Sequence, residues 1–244
     1  MERLDKILAS QGSYSRKDVQ AIIKSGRVTV NGETVKDSSV KINENDVVTL
    51  DGTVLTLKKH IYLMLNKPQG IVSASDSKTE KTVIDLVPEP LFRSGLFPAG
   101  RLDKDTVGFV LITDDGDFAH RILSPKNHVV KTYEARLEST LTDAQRAMLQ
   151  NGIVLADGTT CKESRVEILE NGDTPLVQIQ ICEGKYHQIK RMFAAAGNRV
   201  TYLKRTKMGN LILDEMLSFG ECREITSQEL LEIENGKIFS DFEQ

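Results

Sequence analysis

Gly100-Arg101-Leu102-Asp103-Lys104-Asp105-Thr106-Val107-Gly108 is the stretch on which the reading of this chain turns. An apolar approach (Leu96, Phe97, Pro98, Ala99) precedes it, and an apolar run (Phe109, Val110, Leu111, Ile112) follows. Thr113-Asp114-Asp115-Gly116 closes that run with an Asp-Gly turn signal. The spacing predicts a loop that presents an arginine and an aspartate beside a buried strand. Catalytic groups concentrate on such scaffold-mounted loops. Taken alone, an Asp in this position also serves as a turn cap.

Working outward, residues 61–65 read as a strand that runs into the turn Asn66-Lys67-Pro68-Gln69-Gly70. Residues 73–82 are polar and read as a loop, and 83–87 as a short helix stopped by Pro88 and Pro90. A short helix is expected over 118–123. Residues 129–137 alternate as a strand with Val129, Lys131, Tyr133, Ala135 and Leu137 on one face. A surface helix is expected over 142–151. Val177, Ile179 and Ile181 alternate in a further strand that Gly184 breaks. A helix follows, with Ile189, Met192, Phe193 and Ala196 as its apolar stripe and Gly197-Asn198 as its stop. Lys190 and Arg191 leave other faces of its early turns, where the helix N-terminus adds partial positive charge. That is a suitable place for a carboxylate or a phosphate.

The N-terminal part reads differently. Residues 2–12 predict a helix with Leu4, Ile7 and Leu8 on one face, and Ser15 with Asp18 predicts a capping box for a second helix. Gly26 ends it. A strand at 27–30 then meets Asn31-Gly32, a strong hairpin signal, and Val47, Val48 and Leu50 form another short strand. Two helices and small strands in so few residues are too small to carry much chemistry. Arg3, Arg16, Lys17, Lys24 and Arg27 cluster around the helices and the turn into the strand. The polar stretch 53–60 reads as a linker, dividing the chain into 1–52 and 61–244.

The totals bound the rest. At 244 residues and 39% hydrophobic, the chain supports a real core in one large domain or a small and a medium one. No apolar run approaches membrane-spanning length, and the start MERLDKILAS lacks a signal-peptide core, so a cytoplasmic protein is expected. Cys161, Cys182 and Cys222 are far apart and fit neither a disulfide framework nor a zinc site. The net charge of −3 hides an asymmetry. Between Ile181 and Gly209 stand Lys185, Lys190, Arg191, Arg199, Lys204, Arg205 and Lys207 against Glu183, and acids dominate beyond Ile212. A basic patch beside an acidic tail still offers phosphates a footprint. No histidine has a Ser or Cys partner at triad spacing, and no metal-ligand cluster or phosphate-cradling glycine loop is present in the sequence.

The GRLD loop, with YLMLNKPQG at 62–70, SPKNHVVKTYEARL at 124–137 and EGKYHQIKRMFAAAGN at 183–198, resembles the pseudouridine synthases, and within them the small-subunit rRNA branch, the RsuA-like enzymes. The pattern RLDKILA…SRKDVQAIIKSGRVTVNG is similar to the S4 RNA-binding domain. The resemblance implies an α+β chain: a small S4-like domain, then a larger catalytic domain with a mainly antiparallel or mixed sheet and flanking helices. It implies that a uridine of 16S (small-subunit) rRNA is isomerised without metal, organic cofactor or nucleotide cofactor. The partner is then ribosomal RNA, free or in a partly assembled particle, and the enzyme is expected to be a monomer away from membranes. The essential aspartate maps to Asp103, its basic partner to Lys190, where many relatives have Arg, and the tyrosine beside the target base to Tyr133. A neighbouring cation favours a charged carboxylate and fixes its orientation, though Lys lacks the planar fork of Arg. Arg101 maps to the arginine that fills or stabilises the space left by the extruded base. Lys67, Lys131, His187, Gln188 and Arg191 are carried over as residues near RNA, and Arg3, Arg16, Lys17, Lys24 and Arg27 as the RNA-facing surface of the small domain. The alternatives are a 23S rRNA synthase of the same superfamily and a non-catalytic RNA-binding assembly factor.

Overall fold

The computed structural model describes residues 1–12, 14–43, 45–124 and 129–236. They form two compact units. The first is Met1–Ile61 together with Val87–Leu96; the second is Tyr62–Leu86 with the chain from Phe97 onward.

The first unit contains β1 (Glu2–Arg3), α1 (Leu4–Ser10), α2 (Arg16–Lys24), β2 (Val28–Val30), β3 (Glu33–Thr34), β4 (Lys41–Ile42), β5 (Val48–Leu50) and β6 (Thr53–Val54). The capping box forms as the sequence predicts: the Asp18 amide donates to Ser15 Oγ, and the Ser15 amide donates to Asp18. Asn31 (φ 53°) and Gly32 (φ 85°) are both left-handed, the backbone that a two-residue turn between β2 and β3 requires. Leu4, Leu8, Val19, Ile23, Val28, Ile42 and Val48 make the core. Removing each of the larger ones from water is worth about 1.5–3 kcal/mol.

Two features depart from the sequence reading. Thr53–Val54 pairs with β5, and Leu55 and Leu57 pack on this core, so the stretch expected as linker is partly structured. The segment Val87–Leu96 joins this unit although it is distant in sequence. Buried Arg93 donates to the Lys58 carbonyl and to Gln11 Oε1 at 2.9 and 2.8 Å.

The second unit contains β7 (Tyr62–Lys67), β8 (Phe97–Pro98), β9 (Val107–Thr113), α3 (Gly116–Leu123), β10 (Lys131–Leu137), α4 (Asp143–Gln150), β11 (Arg165–Glu170), β12 (Leu176–Ile181), α5 (Gln188–Ala195), β13 (Val200–Met208), β14 (Leu211–Ile212), β15 (Cys222–Glu224) and α6 (Ser227–Asn235). Among the described residues these strands make one nine-stranded sheet in the order β11-β12-β10-β13-β9-β7-β15, with β14 on β13 and β8 on β9. Its pairs are antiparallel except β13 with β9, so the sheet is mixed, as expected. All seven residues of β9 are buried, matching its unbroken apolar reading. Phe109 and Leu111 from it pack with Met64, Phe118, Ile122, Met208 and Ile233, so α3 and α6 share one core with the strands.

The parallel pair positions the site. Lys204 lies opposite Val107 and Arg205 opposite Gly108. Gly108 has φ +96°, and a Cβ there would lie 2.3 Å from the Arg205 carbonyl oxygen. Only glycine lets the two backbones meet where the Asp103 loop enters the sheet.

Candidate active site

The Asp103 loop spans the gap between β8 and β9. Its entrance is pinned by the Ala99 amide donating to the Leu111 carbonyl (2.7 Å) and the Leu102 amide donating to Ser73 Oγ (3.1 Å). The Thr106 amide closes the turn onto the Asp103 carbonyl at 3.0 Å. Beneath it lies Lys67, a side chain with 0% exposure. Its Nζ donates to four carbonyls: Pro68 (3.1 Å), Asp103 (3.1 Å), Lys104 (3.2 Å) and Thr106 (2.7 Å). The expectation that Lys67 touches RNA is therefore corrected. It is a buried cation that gathers loop carbonyls, and the loop's backbone answers its charge. Burial pushes its pKa down to about 8, against the charges of Asp105 and Asp103, which hold it up.

The Asp103 carboxylate faces an open cleft and is 24% exposed. Arg101, Tyr133, His187, Gln188 and Leu203 line the same cleft. Lys190, from the first turn of α5, lies 3.3 Å from Asp103 Oδ2 and 2.5 Å from Asp105 Oδ1. The expected Asp103–Lys190 pair is thus a shared cation between two carboxylates. A compact ammonium serves two such acceptors without a preferred plane. Asp105 was not among the residues singled out from sequence. The hydrogen bond from Lys190 holds its carboxyl below the usual carboxylate range, against the opposing effect of burial. His187 Nε2 is 3.6 Å from Asp103 Oδ1.

Tyr133 enters from β10 and is 8% exposed. The register between β10 and β13 shifts at Thr132/Tyr133, which sets Tyr133 opposite Arg205. The Arg205 guanidinium carbon lies 5.9 Å from the Tyr133 ring centroid, and Nη1 is 3.5 Å from the phenol oxygen, a long contact. Arg205 is 2% exposed and donates Nε to the Phe109 carbonyl at 2.7 Å. Its Nη2 has no hydrogen-bond partner among the described residues. In the sequence Arg205 is one member of the basic patch; its burial beneath the tyrosine follows from the strand register, which composition does not reveal.

The other expected residues divide. Lys131 is buried and does not line the cleft, and burial, then the Arg205 charge, pushes it down to about 8. Its expected contact with RNA is corrected on that ground. Gln188 lines the cleft, yet it is occupied within the chain: it accepts from the Lys185 amide (2.9 Å) and donates to Glu183 (2.7 Å), bracing the turn before α5. Arg191 pairs with Asp157 (2.5 Å) and donates to the Tyr186 carbonyl (3.2 Å). In the first unit, Arg3 and Arg16 converge on the buried Asp5 at 2.9 and 3.4 Å, and Arg27 binds Asp51, while all three keep exposed side chains. Burial would raise the Asp5 carboxyl, but hydrogen bonds from Arg3 and Gln20 and the charges of Arg3 and Arg16 hold it at about 2. Lys17 and Lys24 are exposed on α2. Residues 125–128, including His128, lie outside the described residues. Among the described residues no group of three or more His, Cys, Asp or Glu is placed to hold a metal ion, and no helix is long and apolar enough to cross a membrane.

The arrangement suits chemistry by a carboxylate on a ring that enters between Asp103 and Tyr133. Comparison with known proteins points the same way. The model of the RNA pseudouridylate synthase family matches residues 61–195, and that of the S4 domain matches residues 2–48. An uncharacterised RNA pseudouridine synthase of Bacillus subtilis is 46% identical over 231 residues, covering 93% of this chain and 96% of that protein. The ribosomal small subunit pseudouridine synthase A of Escherichia coli is 41% identical over 233 residues, covering 95% of this chain and 99% of that protein. A crystal structure of a pseudouridylate synthase, 40% identical, superposes with a TM-score of 0.66 over 96% of this chain and 100% of that one.

Proposed function

This chain belongs to the RNA pseudouridylate synthase family, and from that premise we propose that it isomerises a uridine of 16S (small-subunit) ribosomal RNA to pseudouridine. The observation that carries the reading is Asp103 in the cleft, with Lys190 at 3.3 Å and Tyr133 lining the same cleft. The small-subunit target is supported by the full-length similarity to enzymes named for that substrate.

The reaction breaks the bond from uracil N1 to the sugar, turns the base, joins C5 to the same sugar carbon, releases the C5 proton to solvent and takes up a proton at N1. Nothing is oxidised, and the exchange of that one proton leaves the RNA with its composition unchanged. Asp103 is the reacting group, as nucleophile at the sugar or base or as the base that removes a sugar proton. Lys190, 3.3 Å from the carboxylate, holds its orientation through this cycle. Tyr133 meets the uracil ring and takes part in removal of the C5 proton. The uridine leaves its stack to reach them, and Arg101 at the cleft fills or braces the vacated space. In this reading residues 1–52 supply RNA recognition through Lys17, Lys24 and the exposed arginines, and residues 61–244 supply catalysis. The protein then works in the cytoplasm on ribosomal RNA during assembly.

The test is pseudouridine mapping of both ribosomal RNAs from cells with and without the gene. One small-subunit uridine should lose its modification and regain it on complementation. Loss of a 23S site instead transfers the target to the large subunit. No change in either RNA contradicts the enzymatic reading.

A further inference from the structure

Tyr186 is an exposed aromatic stacked on His187, a residue of the Asp103 cleft, with no assigned part in the reaction. It is 75% exposed. One face of its ring lies on the His187 imidazole, with centroids 3.9 Å apart and planes 17° apart. His187 itself lines the cleft and sits 3.6 Å from Asp103.

The backbone that carries this stack is held, not loose. His187 has a left-handed conformation (φ 47°, ψ 36°) as the residue that opens α5, a conformation that a non-glycine residue keeps only where its surroundings enforce it. Gln188 supplies that enforcement through the Lys185 amide and Glu183, and Arg191 holds the Tyr186 carbonyl. A braced backbone and a stacked neighbour leave the outer face of the tyrosine presented to solvent with little freedom to lose on binding.

Given the proposed RNA substrate, on which this inference rests, we propose that the outer face of Tyr186 is a nucleobase-stacking site for a nucleotide flanking the target uridine. An extruded uridine leaves its neighbours unstacked, and single-stranded bases dock on aromatic faces whatever their identity. The His187 ring beneath Tyr186 reaches to 3.6 Å from Asp103 through Nε2, so a base on Tyr186 fixes the strand close to the catalytic cleft. Tyr186 acts here as a positioning residue.

The test uses the full chain, a short single-stranded RNA with 2-aminopurine beside a central uridine, and the variants Tyr186→Ala and Tyr186→Phe. Wild type and Tyr186→Phe should quench the 2-aminopurine fluorescence on binding, and Tyr186→Ala should not. Loss of one base–aromatic stack should weaken binding roughly five- to 150-fold. The dependence of log K on log salt should keep its slope, because no phosphate contact is lost. On ribosomal RNA the loss should appear as a raised KM more than a lowered kcat, with Tyr186→Phe close to wild type. Equal quenching by all three proteins, or a Tyr186→Ala effect confined to kcat, overturns the platform. Absent tritium release from C5-labelled ribosomal RNA by wild type, with the quenching pattern intact, would overturn the enzymatic reading and leave the stacking site standing.

Discussion

Replacing Lys67 with Met asks whether the Asp103 loop is held from below. The substitution keeps the length of the stem but removes the ammonium on which four carbonyls converge at 2.7–3.2 Å. Leaving buried carbonyls without their donor costs about 1–3 kcal/mol. Against a total stability of about 5–15 kcal/mol, the variant should fold but be weakened. At about 2–4 °C per kcal/mol for a protein of this size, the midpoint of thermal unfolding should fall by roughly 2–12 °C. The loop carries Asp103, and a displacement of about 1 Å at a reacting group costs on the order of a hundredfold in rate. The assay pairs a melting curve with tritium release from C5-labelled rRNA at a temperature where the variant remains folded. Both readouts should drop, while the salt dependence of RNA binding stays as in wild type. A Lys67→Met protein with an unchanged melting temperature and a reduced salt slope would refute the cradle and return Lys67 to the RNA surface.

The same lysine predicts a pH profile. Above about 8 Lys67 gives up its proton, and a neutral amine has two N–H groups for four carbonyls, so turnover should fall with a midpoint near that value. Its folded pKa is depressed below 10.5, so the charge burden on the fold is relieved between about 8 and 10.5, and the activity loss should occur without unfolding. Coincident loss of activity and fold would contradict this. For Lys190, Lys190→Met should lower turnover about a hundredfold, whereas Asp105→Asn, which leaves Lys190 to Asp103 alone, should keep most of it; equal losses would show that Asp105 reacts rather than shares a cation. Tyr133→Phe should slow tritium release by about 10²–10⁴ with RNA affinity retained, and unaltered release would remove the phenol from the proton transfer. Asp5, held at about 2 against an ordinary 3.8, stabilises the fold above about pH 3.8 and loses that contribution as pH falls through about 2. The stability gap between wild type and Asp5→Asn, read by urea melts, should therefore close toward pH 2; a gap constant with pH would show that the charge is not what matters.

Much of this architecture is legible in local chemistry. The apolar run after Gly108, the stripe Ile189, Met192 and Phe193, the Ser15–Asp18 capping box and the Asn31-Gly32 turn each impose one geometry, and each forms. The motif at 100–103 marks a loop beside a buried strand because an apolar approach precedes it and an apolar run follows. What stays hidden depends on distant partners. A lysine at a strand end looks like a surface charge until the loop carbonyls of residues 103–106 fold over it. Lys131 shares that fate, since alternation assigns a face but not whether the face is dry. The sharing of Lys190 with Asp105 needs the turn at Thr106, which brings both carboxylates to one ammonium. Arg93 gives no local sign that it will bind Gln11 and Lys58. These are contacts between residues far apart in sequence, to which periodicity and turn chemistry are blind.

The most direct test of the account is tritium release from small-subunit rRNA labelled at uracil C5, incubated with wild type and with Asp103→Asn, repeated on protein-bound rRNA. Wild type should release tritium, and Asp103→Asn should release none while binding the RNA and melting as wild type does. Release by Asp103→Asn at the wild-type rate would contradict the assignment of the reacting carboxylate on which the mechanism stands.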